Sequence, residues 1–204
     1  MARENRVTPE GEIIADPGRG LLTGNRGILC DEAGTRRHLF RHRAWISCVL
    51  HYRDHRQPLA STHSWTPLFF LDEAVALAAG HRPCALCRRE AYLRFRAAWG
   101  TATGRPAPRA DAIDAVLHEA RIVPRLRAKV TFRADLAGLP DGSFIAGTDG
   151  PHLVLRDRLL PYTPSGYRPA LPRPGSGEVE VLTPTPLVAV LKTGYAPLLH
   201  PSAT

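Results

Sequence analysis

The sequence feature that most constrains this chain is a close pair of cysteines, Cys84 and Cys87, placed between two helix signals. Before the pair, an apolar run leads into the acidic residues 72–73, which favour a helix N-terminus, and Gly80 predicts the end of that helix. After the pair, residues 88–99 form a second amphipathic segment. Two thiolates separated by two residues can chelate one ion, so the sequence predicts a metal-binding turn between two helices.

All four cysteines of the chain can be used in one zinc site, because zinc takes four nitrogen or sulfur ligands in a tetrahedron. The predicted ligands are Cys30, Cys48, Cys84 and Cys87. The N-terminus lacks the continuous apolar region of a secretory signal, which indicates a cytoplasmic protein in which thiols stay reduced. Cys87 is expected in the first turn of the second helix, where the helix dipole favours its thiolate.

Two histidines compete with the upstream cysteines as ligands. Cys48 and His51 form a CxxH pair, and His63 precedes Cys84. Residues three apart on an extended strand point to opposite faces, so Cys48 and His51 share a metal only if the backbone turns between them. Cys30 is therefore favoured over His51. The alternative for Cys30 and Cys48 is a buried apolar thiol.

The chain carries a net charge of +8, almost wholly from arginine, because Lys129 and Lys192 are its only lysines. Arginine presents a planar, permanently charged fork that suits phosphates and base edges, so this composition is compatible with nucleic acid or a phosphorylated ligand. Arginine, alanine and proline also rise together when coding DNA is rich in G and C. Composition alone leaves both explanations open.

Residues 36–56 form the most basic stretch and also contain aromatic residues, which predicts a hairpin that contacts nucleic acid through phosphates and stacked bases. The aromatic residues are Phe40, Trp45 and Tyr52. The predicted nucleic-acid-binding residues are Arg36, Arg37, Arg41, Arg43, Arg53, Arg82, Arg88 and Arg89. The alternative is a solvated pair of edge strands whose arginines discourage aggregation.

The sequence pattern predicts an α+β fold: a small zinc-centred β-hairpin and helix domain, followed by an antiparallel β-meander with a C-terminal helix. The zinc-binding domain is placed at residues 1–100, a linker and helix at 101–127, and the small β domain at 128–204. No apolar run of about 18 residues is present, which excludes a membrane-spanning helix. Neither a P-loop nor a GxGxxG motif occurs.

The segment LFFLDEA at residues 68–74, followed by GHRPCALCR at 80–88, resembles the zinc-binding N-terminal domain of the Ada methyl-phosphotriester repair proteins. In that family two aromatic residues, an acidic helix start, an alanine-rich helix and the turn G-F/Y-R-P-C-x-x-C-R occur in this order. The resemblance covers about residues 65–90. It implies that Cys84 and Cys87 are zinc ligands on a module associated with DNA contact and repair.

The family's upstream C-x-x-x-C pair, one of whose cysteines accepts a methyl group, has no counterpart here. Cys30 and Cys48 are separated by 17 residues. Methyl transfer to this chain is therefore not implied by the resemblance.

The favoured hypothesis is a zinc-stabilised protein that binds DNA or RNA, with a role in repair or modification. A second hypothesis is an enzyme that acts on a small or nucleotide-like substrate, with a structural zinc. Its chemistry would come from polar groups of the N-terminal third, from Asp114 and His118, or from the loop at residues 162–173. A third is a zinc-stabilised interaction module without catalysis. The sequence assigns no catalytic residue and no oligomeric state.

Overall fold

The structure is a computed structural model that describes residues 2–53, 64–123, 125–126 and 128–204. Short strands of the N-terminal half build a first sheet: β1 (Glu4–Val7), β2 (Ile13–Ala15), β3 (Leu22–Asn25), β4 (Ile46–Val49), β5 (Leu68–Phe70) and β6 (Arg82–Pro83). Within the described ranges their order is β2–β1–β5–β3–β4–β6. β1 runs parallel to β5 and β4 parallel to β6, while the other neighbours are antiparallel.

Four α-helices are present in the described part of the chain: α1 (Glu73–Ala78), α2 (Arg89–Thr103), α3 (Ala110–Arg121) and α4 (Thr185–Lys192). The expected start of α1 is confirmed, because the Asp72 side chain accepts the backbone N–H of Val75. The expected stop is confirmed as well, because Gly80 has a φ of 81°, a conformation that glycine adopts without strain. In α4 the capping residue is Pro184, whereas the Thr183 hydroxyl accepts the N–H of Phe144.

A short hairpin of β7 (Ile122–Val123) and β8 (Ala128–Lys129) follows α3. The remaining strands form a second, antiparallel sheet: β9 (Phe132–Asp135), β10 (Phe144–Gly147), β11 (Gly150–Leu155), β12 (Arg158–Thr163), β13 (Gly166–Tyr167), β14 (Leu171–Pro172) and β15 (Glu178–Val181). Their order is β13–β12–β11–β10–β15–β9, and β14 pairs with β12. The predicted α+β class, with a C-terminal antiparallel sheet and helix, is confirmed.

Every residue of α1 is buried, because this helix lies in the core that the two sheets share. The first half of the chain supplies Val7, Leu22, Leu68 and Phe70 to that core, and the second half supplies Phe144, Leu153, Leu160 and Leu182. A second cluster joins Leu77 of α1 to apolar residues of α2, α3 and α4. The predicted domain boundaries stay a prediction, but the first and second halves of the chain share one hydrophobic core.

Two buried carboxylates attach the C-terminal part of the chain to α1. Asp72 accepts a 2.7 Å hydrogen bond from the Tyr167 hydroxyl, and Glu73 accepts one of 2.7 Å from the Tyr195 hydroxyl. Burying a carboxylate is costly unless hydrogen bonds satisfy it, so these contacts fix where the tail can lie. None of the helices in the described ranges has the length and apolarity needed to cross a membrane.

Candidate metal centre

Cys48, Cys84 and Cys87 form a cluster whose sulfur atoms all lie within 4.8 Å of one another. In a tetrahedral zinc site with Zn–S bonds of 2.3 Å, the sulfurs are about 3.8 Å apart. The sulfur atoms of the observed cluster are therefore close enough to bind one metal ion. Cys84 is buried and the other two are half-buried, so the site lies at the edge of the protein interior.

The parallel pairing of β4 with β6 brings Cys48 to the cysteine pair. Ser47 pairs with Pro83, and the backbone N–H of Cys84 donates to the Ser47 carbonyl at 2.9 Å. Each strand then continues by one residue to a cysteine. The register of a long-range strand pair thus sets the distance between Cys48 and Cys84.

Arg88 connects strand β4 to the cysteine turn. Its guanidinium donates to the Ser47 hydroxyl at 2.8 Å and forms a 2.8 Å ion pair with Glu73. Its backbone N–H donates to the Cys84 carbonyl at 3.2 Å. Because Ser47 precedes Cys48, this arginine orients both the strand and the turn that carry the sulfurs.

Backbone N–H groups point at two of the sulfurs. Cys84 Sγ accepts from the N–H of Leu86 at 3.4 Å and also from that of Cys87, while Cys87 Sγ accepts from the N–H of Val49. Hydrogen bonds to a thiolate favour its charged form. Helix α2 begins only at Arg89, so the expectation that Cys87 lies in its first turn is corrected: Cys87 lies in the preceding turn.

The three thiols have opposed pKa shifts because they share hydrogen bonds. Bonds to Cys84 and Cys87, together with burial, raise the pKa of Cys48. Bonds from Cys48 and Cys87 lower the pKa of Cys84. For Cys87 the bond to Cys48 lowers the pKa, but the Cys84 sulfur and burial outweigh it and the net shift is upward. The cluster thus favours a single thiolate, and a bound cation would allow all three sulfurs to ionise.

Cys30 does not join this cluster, which corrects the expected Cys₄ site. In the antiparallel pair of β3 and β4, Thr23 lies opposite Cys48 and Asn25 lies opposite Ile46. The chain from Thr23 towards Cys30 therefore runs away from Cys48. Cys30 instead forms an isolated backbone β-bridge with Arg36, and it lines a separate groove.

The two histidine alternatives have different outcomes. His51 is exposed and is not in the cluster, although it follows Cys48 by only three residues. His63 lies outside the described residues. Among the residues that are described, no fourth His, Cys, Asp or Glu joins the three cysteines.

The structure also corrects two of the predicted nucleic-acid-binding arginines. Arg82 is 5 % exposed and forms a two-pronged ion pair with Asp114, at 2.8 and 2.7 Å. Arg88 is 9 % exposed and has the Glu73 partner described above. Both side chains are held inside the protein and do not face a nucleic acid.

The other predicted arginines lie near the surface. Arg36 pairs with Glu4 and Arg37 pairs with Asp31, each at 2.7 Å. Among the predicted arginines, four are exposed and have no carboxylate partner in the described ranges: Arg41, Arg43, Arg53 and Arg89. These four stay candidates for phosphate contact.

Arg41 lies in a groove of about 490 Å³ whose lining contains no acidic residue in the described part of the chain. The lining residues are Gly27, Ile28, Cys30, His38, Arg41, His42, Ser64 and Trp65. We call this the Arg41 groove. It combines a cation, two imidazoles and an indole, which are groups that suit phosphates and base faces.

Two of the three aromatic residues expected to stack on bases, Trp45 and Phe40, pack against other side chains of the protein. Trp45 is 3 % exposed and lies under two guanidinium groups, those of Arg26 and Arg121, each 4.0 Å from its ring. Phe40 packs against Trp45 and His118. Trp65, in the Arg41 groove, was missed because a single tryptophan between polar residues gives no periodic signal.

Four of the residues named in the enzyme hypothesis contact other parts of the protein. Asp114 is committed to Arg82, and the His118 ring lies 3.3 Å from an Arg121 nitrogen. In the loop at 162–173, the Tyr167 hydroxyl donates to Asp72, and the Arg173 guanidinium donates to the carbonyls of Leu136, Ala137 and Leu139. These side chains connect secondary-structure elements and loops of the protein to one another.

Comparisons of the chain with protein-family models, with curated proteins and with solved structures find no match. The fold and the cysteine cluster therefore define the site on their own: three clustered cysteines that lie close enough to bind a metal ion.

Proposed function

We propose that this chain is a zinc protein that binds nucleic acid, with Cys48, Cys84 and Cys87 as the zinc ligands. The observation that carries the metal assignment is the cluster of three sulfurs within 4.8 Å. Three thiolates are soft donors, which favour zinc over magnesium or calcium. When bound, zinc would supply the positive charge that keeps three adjacent sulfurs ionised, and it would tie β4 to the turn before α2.

The nucleic-acid part of the proposal is supported by the exposed arginines and by the Arg41 groove. Arg41 lies there beside two histidines and Trp65, without an acidic residue among the described lining residues. Such a groove can place a phosphate against the guanidinium and an unpaired base near the indole. Single-stranded or unpaired nucleic acid is therefore the favoured partner.

The resemblance to the Ada zinc domain supports a DNA-linked role. The segment that carries the resemblance forms β5, α1, β6 and the cysteine turn in this order. The side chains that connect these elements include Asp72, Glu73 and Arg88, all within the resembling segment. A role in DNA repair or modification is the finer proposal that follows from this likeness.

The test is binding of fluorescent single-stranded DNA and RNA, measured by anisotropy over a range of salt concentrations. Affinity is expected to fall as salt rises, with a log–log slope of about −0.7 per displaced counterion. Arg41→Gln should make this slope shallower by about 0.7, which corresponds to the loss of one phosphate contact. Arg168→Gln removes an exposed arginine next to the second sheet and serves as the matched control.

Two results would remove the nucleic-acid proposal. One is absence of binding at low salt. The other is an equal loss of affinity in Arg41→Gln and Arg168→Gln, because this would show that net charge alone attracts the oligonucleotide and that the Arg41 groove has no special part.

A further inference from the structure

A cavity of about 470 Å³ lies where the first sheet, the β7–β8 hairpin and the second sheet meet. Its inner wall contains buried residues, including Arg26, Trp45, Ala79 and Arg121. Its mouth is formed by exposed or half-buried residues, namely Glu10, Gly11, Glu12, Ala128, Ala146 and Glu180. None of its described lining residues is a cysteine, so it is distinct from the metal centre.

Three cationic side chains line this cavity. Arg26 is 1 % exposed, Arg121 is 2 % exposed and Lys129 is half-buried. Within the described residues, none of the three forms an ion pair with a carboxylate. Uncompensated buried charge is costly, so three such cations around one space are expected to have a function or a counterion.

Neutral groups satisfy only some of their donors. Carbonyl oxygens accept from each cation: Gly11 from Arg26, Gly80 from Arg121 and Ala78 from Lys129. Two buried nitrogens, Arg26 Nη2 and Arg121 Nε, have no hydrogen-bond partner among the described residues. A guanidinium N–H that is buried and unpartnered at the wall of a cavity is a donor available to a ligand.

The cations also face one another. Burial, followed by the nearby charge of Arg121, lowers the pKa of Arg26, although a guanidinium stays protonated at neutral pH. Burial and the charge of Arg26 lower the pKa of Lys129 to about 7, with Glu10 acting in the opposite direction. A bound anion would relieve this repulsion.

We propose that this cavity binds the phosphate group of a small phosphate monoester. A phosphate monoester carries about −1.5 to −2 charges near neutral pH and three acceptor oxygens, which match three convergent cations better than a single carboxylate does. The volume is in the range of small-ligand sites.

The glutamates at the mouth of the cavity restrict which phosphate monoesters can bind. Glu10, Glu12 and Glu180 place negative charge at the entrance, so they repel a second phosphate and can accept hydrogen bonds from hydroxyl groups. Sugar monophosphates are therefore favoured, and nucleoside triphosphates and nucleic-acid chains are disfavoured. This site does not rest on the nucleic-acid proposal, because that proposal concerns the Arg41 groove.

The two lysines of the chain provide a direct test, because lysine-specific ¹³C labelling of the full-length protein gives signals from Lys129 and Lys192 only. Lys192 is exposed and lines no part of the cavity. Titration with ribose 5-phosphate should shift the Lys129 signal with saturation and leave Lys192 in place. Sodium chloride at the same ionic strength is the control and should not reproduce the shift.

Variants assign the binding to the cavity. Lys129→Met should weaken ribose 5-phosphate binding by about tenfold or more, since it removes a charge-assisted hydrogen bond, and Lys129→Arg should retain most of it. Lys192→Met should bind as the wild type does. If Lys129→Met does not fold, the wild-type titration remains decisive.

The proposal is overturned if millimolar ribose 5-phosphate leaves the Lys129 signal unchanged, or if both lysine signals shift together with ionic strength. ATP that binds as tightly as ribose 5-phosphate would overturn the assignment to monoesters. Failure of the oligonucleotide to bind the Arg41 groove leaves these outcomes unaffected, so the two proposals fail separately.

Discussion

Glu73 is the residue that connects the cysteine turn to the distant end of the chain. Its carboxylate pairs with Arg88 at 2.8 Å, accepts from the Tyr195 hydroxyl at 2.7 Å and accepts from the Leu198 N–H at 2.9 Å. The carboxylate is almost fully buried, so each partner is needed to offset its desolvation. Glu73 therefore couples the position of Arg88, and through it the metal centre, to the C-terminal tail.

Replacing Glu73 with glutamine should destabilise the protein by roughly 3 kcal/mol, because Arg88 would keep a buried charge without a partner. Glu90→Gln is the matched control, since Glu90 is exposed at the start of α2. Urea unfolding of the two variants measures the difference. Equal unfolding free energies for both would show that the Glu73–Arg88 pair contributes no stability.

The Lys129 ammonium is buried, although the residue as a whole is half-buried, and this burial predicts how stability changes with pH. Its pKa is about 7 in the folded chain and near 10.5 when unfolded, so between these values the unfolded state binds more protons. The free energy of unfolding of the wild type, relative to Lys129→Met, should therefore rise from pH 7 to pH 10. The groups facing the ammonium are Arg26, Glu10 and the Ala78 carbonyl.

The measurement is urea unfolding at both pH values in phosphate-free buffer, with Lys192→Met as the second reference. Because the cysteines are the same in all variants, their titration cancels in the comparison. A difference that is independent of pH, or that falls as pH rises, would contradict the lowered pKa of Lys129.

At the scale of elements, the sequence predicted those helices, strands and turns that depend on short-range sequence patterns. The capping residue Asp72 and the stop at Gly80 define α1, and the periodicity of the C-terminal half predicts its sheet and α4. The metal-binding turn was predicted from the two-residue separation of Cys84 and Cys87 alone. Each of these features depends on residues within a few positions of one another.

Long-range pairing could not be predicted from those patterns. Cys48 reaches the metal centre because β4 runs beside β6, and Cys30 does not because β3 runs antiparallel to β4. Outside the named strands, Cys30 forms only an isolated β-bridge, with Arg36. Burial of Arg82 and Arg88 was missed for the same reason, since their carboxylate partners lie on other elements.

Helix α3 is docked by the ion pair between Asp114 and Arg82, whose side chains are both nearly buried. Asp114→Asn should lower the free energy of unfolding by roughly 3 kcal/mol, because Arg82 loses its only carboxylate partner in the described residues. Asp111→Asn, on the exposed first turn of α3, should change it by less than about 0.5 kcal/mol. Thermal unfolding of both variants checks this, and similar losses would contradict a docking role.

At the scale of the whole molecule, α1 is surrounded by residues from both halves of the chain. Its flanking carboxylates bind the tail, and its C-terminal carbonyl, Ala78, accepts from Lys129. A core shared in this way should unfold as one cooperative unit.

Leu153→Ala tests this cooperativity, because Leu153 is fully buried in β11 while all three tryptophans lie in residues 1–100. The variant should lose about 2–5 kcal/mol, and tryptophan fluorescence and far-ultraviolet circular dichroism should report the same shifted transition. An unmoved tryptophan transition would instead show that the two halves fold independently, as the predicted domain boundaries imply.

The three-cysteine metal centre joins β4 to the turn before α2, and zinc content per chain tests it directly. Purified wild type and Cys30→Ser should each contain one zinc, whereas Cys48→Ser and Cys84→Ser should lose zinc affinity by about a hundredfold or more and unfold more easily. Wild-type protein without stoichiometric metal would contradict the metal centre. Loss of zinc from Cys30→Ser would contradict the assignment of Cys48, Cys84 and Cys87 as the ligands.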